Sequence, residues 1–322
     1  EMSHRSATYE AVHDRAIANL RELMKIPDGY QVIFMGGGAR TQFALVPYNL
    51  GMEGVAAEYV LTGTWSEGAV REANKLGEAR AVWSGADGGY RHIPRDDEYT
   101  ASDDAAFFHY TSNNTIYGTQ FHEPPAASSA PLVCDMSSDI LAGPVDVSRF
   151  GLIYAGAQKN IGPAGVTVVI VRDDLLERSG DALPELWSYK KIAAKNSLLN
   201  TPPTFAIYVV KLVTDWVKEC GGLEKIAEKN REKADLIYAQ LDGEFYRGHA
   251  DEASRSVMNA TFNLPTPELE AEFVAFCASR DLHGVKGHRS VGGIRASLYN
   301  AVPVAAAEAL AQAMTEFRAE RG

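Results

Sequence analysis

Short apolar segments that can be buried on both faces alternate with helical stretches through the first half of this chain, and this alternation constrains its fold most. Residues 31–35, 58–61, 79–83, 106–110, 132–134, 152–155 and 166–171 have the apolar character of strands. Val12, Ile17, Leu20, Leu23 and Met24 recur at helical spacing in residues 9–26, before Pro27-Asp28-Gly29 stops the pattern. Residues 41–50 and 65–76 also read as helices. Strands apolar on both faces, interleaved with helices, require an α/β fold with a mostly parallel sheet covered on both sides. Beyond Thr204 the pattern changes. Two long amphipathic helices, 204–219 and 223–241, flank Gly221-Gly222, and a strand (256–262), helix (267–279), strand (294–298) and terminal helix (303–318) follow. That tail predicts a smaller α/β unit, with the boundary near residues 222–228. The expected division is a large unit over 1–224 and a small C-terminal unit over 225–322.

Composition excludes several classes of function. Of the 322 residues 46% are hydrophobic, enough for a substantial core and too many for a disordered chain. No apolar run approaches the roughly 18–20 residues that cross a bilayer, and no signal-peptide pattern opens the sequence. Forty-two acids against 31 bases give a net charge of −11, which argues against nucleic acid as a partner. Three cysteines without close spacing (Cys134, Cys220, Cys277) suit neither a disulfide framework nor a zinc site, so no metal and a reducing cytoplasm are expected.

Three segments have the residue types of a reactive site. Gly36-Gly37-Gly38-Ala39-Arg40-Thr41 joins a strand to a helix, where unpaired N–H groups can meet an anion. It is neither a Walker loop nor a complete dinucleotide loop, and a tight turn without a ligand is the plain alternative. Lys159 lies among small residues in Ala155-Gly156-Ala157-Gln158-Lys159-Asn160-Ile161-Gly162 between two apolar strands. Burial there would lower its pKa and free the amine for Schiff-base chemistry; a surface lysine in a glycine-rich loop is the alternative. Asp135 ends a buried strand before Ser137-Ser138, which suits a partner for a protonated ring nitrogen or, more simply, a turn cap. Together these are the groups a pyridoxal phosphate enzyme requires: a phosphate holder, a partner for the pyridine nitrogen and an attachment lysine.

The chain resembles the phosphoserine aminotransferases, within the fold-type I, class V pyridoxal phosphate aminotransferases. In its first half the resemblance rests on Ser3-His4-Arg5, on Gly37-Gly38-Ala39-Arg40-Thr41-Gln42-Phe43, on Thr62-Gly63-Thr64-Trp65, and on His109-Tyr110 through Asn114-Thr115-Ile116. It continues through Asp135-Met136-Ser137-Ser138, Tyr154 to Asn160 and Asn200-Thr201-Pro202-Pro203-Thr204-Phe205. It ends in Lys286-Gly287-His288-Arg289 and Gly292-Gly293-Ile294-Arg295-Ala296-Ser297.

The resemblance implies that Lys159 holds the cofactor covalently and then moves the proton between the two carbons of the 1,3-shift. It also implies that Asp135 pairs with the ring nitrogen and that Trp65 stacks on the ring. Ala39, Arg40, Thr115 and Gln158 would hold polar groups of the cofactor. Asn200 and Thr201 would reach the cofactor phosphate of a partner subunit, so the expectation is a homodimer with shared active sites. Glutamate/2-oxoglutarate and phosphoserine/3-phosphohydroxypyruvate are the implied substrates, in serine biosynthesis, with a related phosphorylated threonine in pyridoxine biosynthesis as a second product. Each has an α-carboxylate, for which Arg295 is the candidate bidentate partner. Each also has a distal anion, for which His4, Arg5, Arg40, His288 and Arg289 are the matching positions. Arg40 is compatible with either the cofactor phosphate or the substrate phosphate. Family members have several dozen residues ahead of Ser-His-Arg, whereas this sequence starts at Glu1, so a shortened chain is expected. The alternatives are another class V enzyme, such as a serine–glyoxylate aminotransferase or a cysteine desulfurase, and a non-catalytic dimer of the same fold.

Overall fold

The computed structural model describes residues 3–52, 54–241 and 243–322; Glu1, where the expectation of a shortened chain rests, lies outside them. Helix α1 (Ala7–Leu23) begins where the Ser6 hydroxyl accepts from the Tyr9 N–H, and leads into β1 (Tyr30–Gly37) and α2 (Ala39–Leu50). There follow β2 (Ala57–Leu61), α3 (Thr64–Ala73), β3 (Ala79–Ser84), β4 (Phe108–Thr111) and a small hairpin, β5 (Asn113–Asn114) with β6 (Thr119–Gln120). Next come β7 (Leu132–Asp135), β8 (Leu152–Gly156), β9 (Gly165–Arg172) and two short helices, α4 (Asp173–Leu176) and α5 (Tyr189–Ala193). The chain ends with α6 (Thr204–Glu219), α7 (Gly222–Tyr238), β10 (Arg247–Gly248), β11 (Asn259–Asn263), α8 (Pro267–Ala278), β12 (Ile294–Ser297) and α9 (Val304–Arg321).

Seven strands form one sheet in the order β1-β9-β8-β7-β4-β2-β3. Only β9 opposes the rest, pairing antiparallel with β1 and β8, while the other neighbours are parallel. The sheet is therefore mixed and mostly parallel, as the apolar alternation required. Period-two alternation divides its side chains between two cores. Val32, Phe34, Val168 and Ile170 join α1 and α6 on one face, while Ile33, Met35, Val169 and Val171 join α2 and α3 on the other. Asn19 ties α1 to α6 by donating to Thr214 Oγ1 (3.1 Å) and Asp215 Oδ1 (2.7 Å).

A third core lies among α8, α9, β11 and β12. Helix α7 feeds two cores: Leu223 and Ile226 pack with the sheet, Ala234 and Ile237 with the C-terminal elements. The stretch expected to separate the units is thus the start of a continuous helix, whose apolar stripe changes partner along its length. The β5–β6 hairpin bridges the same seam. A Cβ on Gly118 would come within 2.5 Å of Thr261 Oγ1 and 2.8 Å of the Asn259 carbonyl, so only glycine allows the hairpin this close to β11. Because the parallel strands run one way, β2, β4, β7 and β8 deliver Thr62, Thr111, Asp135 and Gly156 to one edge of the sheet. Ligands of open α/β sheets bind outside this carboxyl edge.

Candidate active site

At that edge a cavity of about 420 Å³ is lined by residues that include Arg40, Trp65, Asp135, Gln158 and Lys159. Its floor is Asp135, the last residue of β7, which is 5% exposed. One carboxylate oxygen accepts from the Ser137 N–H (3.0 Å) and the Ser137 hydroxyl (2.6 Å). The same hydroxyl accepts from the Gly156 N–H at 3.0 Å, locking the end of β8 to the Asp135 turn. Burial raises the Asp135 pKa, while the Lys159 cation and donors from Ser137 and Tyr154 act the other way.

Lys159 follows β8 by three residues. Its Nζ lies 5.3 Å from the centre of the Trp65 ring, within cation–π reach. Burial pushes its pKa down, opposed by Asp135 and Asp139 and reinforced by Arg295. Trp65 sits in the first turn of α3, and the Arg40 guanidinium lies 5.7 Å from its ring. The Trp65 indole N–H donates to Thr115 Oγ1 (3.3 Å), and Arg295 Nη1 donates to the Thr115 carbonyl (3.2 Å). Thr115 thereby joins the pocket to β12, and Arg295 Nε is buried with no partner among the described residues. His288 lines a narrow cleft with Arg295, its Nδ1 2.7 Å from the Ser290 hydroxyl.

Two features fit a bound phosphate. The N-cap of α2 is Gly38, which has no side-chain oxygen to cap the first turn; its carbonyl accepts from the Thr41 N–H (3.0 Å), and the Ala39 and Arg40 N–H groups are left to meet an anion. A Cβ on Gly156 would stand 2.8 Å from Gln158 Oε1 and 3.2 Å from the Ala39 nitrogen, so glycine lets β8, Gln158 and the start of α2 converge. With a buried carboxylate and an amine in the same cavity, the residues fit pyridoxal phosphate.

Of the residues singled out from the sequence, Ala39, Arg40, Trp65, Asp135, Gln158 and Lys159 meet in this pocket, with Thr115 and Arg295 connected to it. His4 and Arg5 lie just ahead of α1 and do not line it; nor do Asn200 and Thr201, exposed before α6, or Arg289, exposed on its turn. Sequence reasoning missed the pair behind the floor: His109 Nε2 and the Tyr154 hydroxyl are 2.8 Å apart and both residues are buried. It also missed Asp139, held by Ser112 (2.5 Å) and Gln120 (3.1 Å) and raised by burial to about 7. A polar residue on an otherwise apolar strand was the available signal for His109. Asp139 has no local signature. Cys134 is fully buried with its thiol pushed up by burial, the reverse of a desulfurase nucleophile. Among the described residues no helix is long and apolar enough to cross a membrane.

The pattern of the family described as aminotransferase class-V matches residues 1–310. The chain is 54% identical over 320 residues to a phosphoserine aminotransferase of Geobacillus kaustophilus, covering 99% of this chain and 89% of that one. The solved phosphoserine aminotransferase of Bacillus circulans subsp. alkalophilus superposes with a TM-score of 0.97 at 51% identity, covering 100% of this chain and 90% of the other. A pyridoxal phosphate-bound phosphoserine aminotransferase from Trichomonas vaginalis gives 0.92 at 38% identity, over 98% and 90%. Identity of about half or more and close superposition run along nearly the whole chain, and this chain belongs to the phosphoserine aminotransferases of the class V aminotransferase family.

Proposed function

We propose that this chain transfers the amino group of glutamate to 3-phosphohydroxypyruvate, yielding 2-oxoglutarate and phosphoserine. The observation that carries this reading is the half-buried Lys159 amine, its pKa lowered, in one cavity with the buried Asp135 carboxyl. When bound, pyridoxal phosphate supplies the carbonyl that takes up the amino group and the ring that withdraws electrons from the α-carbon.

The residues of the chain do the rest. Neutral Lys159 can attack a carbonyl and, once released, accept the α-proton and return it to the carbon on the other side of the transferred nitrogen. Asp135, held by Ser137, keeps a proton on the ring nitrogen. The first turn of α2, with Gln158, holds the phosphate. Trp65 closes one side and excludes water. Arg295 grips the α-carboxylate, and Thr115 aims it from the carbonyl that its guanidinium contacts. Arg40, in the pocket, and His288, in the cleft beside Arg295, take the distal anion, and Arg289, His4 and Arg5, which do not line the pocket of one chain, would reach it only from outside that pocket. On a chain of net charge −11 this is a local reversal of sign, suited to a small anionic substrate. The unit through residue 224 supplies the cofactor site, and the unit from 225 supplies Arg295 and His288. Asn200 and Thr201 serve the phosphate of a partner copy, so the working form is a homodimer. Two buried and one half-buried free cysteine suit a reducing cytoplasm.

Phosphoserine should be turned over with a kcat/KM about a hundredfold or more above that of serine, since serine leaves the distal cations unpaired. Equal values would exclude the role of His288 and Arg289.

A further inference from the structure

Three buried asparagines from distant parts of the chain meet at the seam between the cores. Asn160, the residue after Lys159, donates through Nδ2 to the Ile140 carbonyl (2.7 Å) and accepts at Oδ1 from the Asn300 backbone N–H (2.9 Å). The Asn300 side chain donates to the Leu141 carbonyl (2.8 Å) and accepts from Asn230 Nδ2 (2.9 Å). Asn230 Nδ2 also donates to the Ala142 carbonyl at 2.9 Å. Exposure is 7% for Asn160, 1% for Asn230 and 7% for Asn300. Lys233, nearly one turn further along α7 and 1% exposed, donates to the Leu298 and Tyr299 carbonyls at 2.8 and 2.9 Å.

These bonds belong to no helix or strand ladder. They clamp residues 298–300, where the chain leaves β12, between α7, the Lys159 turn and the loop after Asp135. Apolar contact alone would hold two units together yet let them slide. Directional amide bonds are satisfied in one arrangement only, and a buried amide left unpaired is costly. β12 also carries Arg295, tied through Thr115 to Trp65 on the other side of the pocket. Arg295 and Lys159 are therefore connected twice, through Thr115 and Trp65 and through Asn300 and Asn160.

We propose that Asn160 and Asn300 are positioning residues that fix the Lys159 amine relative to the Arg295 guanidinium, so that capture of the substrate carboxylate and proton transfer share one geometry. This inference rests on the aminotransferase reading above. It ascribes no direct contact with substrate to either asparagine, and Asn230 holds the same stretch without touching the Lys159 turn.

The test compares Asn160→Ala, Asn300→Ala and Asn230→Ala as cofactor-loaded, full-length proteins. Asn160→Ala should lower kcat with glutamate about tenfold while KM changes less than about threefold, the signature of a loss confined to the transition state. The pH midpoint of the visible band of its lysine-bound cofactor should move, because the amine has shifted against Asp135. Asn300→Ala should show the same split, more weakly, since its backbone N–H still reaches Asn160 and only its side-chain bonds with Leu141 and Asn230 are lost. Asn230→Ala should lose melting temperature and keep the parental band and kcat. A purely structural role would show loss of melting temperature in all three with parental kcat and band, and that result overturns the proposal. If Asn160→Ala does not fold, parental kcat and band in Asn300→Ala overturn it equally. A parent protein that forms no visible band with pyridoxal phosphate instead overturns the aminotransferase reading, and this inference with it.

Discussion

Lys159 is useful as an amine only when it is neutral, and the environment of this one side chain is finely balanced. Burial favours the neutral form, while the nearby carboxyls Asp135 and Asp139 favour the cation. Asp139, raised to about 7, stands behind Asp135 with hydrogen bonds from Ser112 and Gln120 in place of a cation of its own. His109 shows the same logic in a group outside the pocket. Desolvation pushes its imidazole down to about 3. Below its unfolded pKa of about 6.5 the unfolded chain takes up a proton that the folded chain refuses. Stability from this depressed pKa is thus fully present above about pH 6.5 and lost as pH falls toward the folded value, at about 1.4 kcal/mol per pH unit. Urea unfolding of the cofactor-free protein between about pH 6.5 and pH 5 should show a pH slope that is shallower by that amount in His109→Phe. Equal slopes would mean that the buried imidazole is already charged.

Among the elements, α6 has more apolar surface than its own chain covers. Ala206, Ile207, Val210 and Val217 are buried against the sheet, yet Phe205, Tyr208 and Leu212 are 72%, 42% and 42% exposed at helical spacing. An uncovered apolar stripe of this kind marks an interaction face, and it directly follows Asn200 and Thr201, which the homodimer reading assigns to a partner's site. Phe205→Asp with Tyr208→Asp should convert a sedimenting dimer to monomers and remove aminotransferase activity with it. A parent that sediments as a monomer at micromolar concentration and remains active contradicts the shared-site dimer. The strands of the sheet were legible because each is a bounded apolar run. The β5–β6 hairpin was not, since Asn113, Asn114, Thr119 and Gln120 form two-residue strands without an apolar signature; Asn113 is held by donating to Ser138 and Asn259 and accepting from Ser256. The seam along α7 was hidden for a related reason. Gly221-Gly222 reads as the break between two helices, and Gly221, in a left-handed conformation (φ 95°), turns the chain from α6 into α7.

At the scale of the molecule, six of the candidate residues meet in one pocket from α2, α3, β7 and the turn after β8, because parallel strands deliver their ends to the same edge. Five of these residues sit in a local pattern, a strand end or a glycine-rich turn, which sequence can show, while Trp65, in the first turn of α3, was reached only through the family resemblance. The contacts that aim them are long-range and left no local trace: Trp65 to Thr115, Arg295 to Thr115, Asn160 to Asn300. The central claim is that this assembly makes Lys159 the attachment and proton-transfer group of an aminotransferase. The most direct test is the visible spectrum of the pyridoxal phosphate-loaded protein, before and after glutamate, in the parent and in Lys159→Ala. The parent should show a band that glutamate removes and 3-phosphohydroxypyruvate restores, and Lys159→Ala should lack the lysine-bound band. A parental band in Lys159→Ala, or a parent spectrum unmoved by glutamate, would contradict the account.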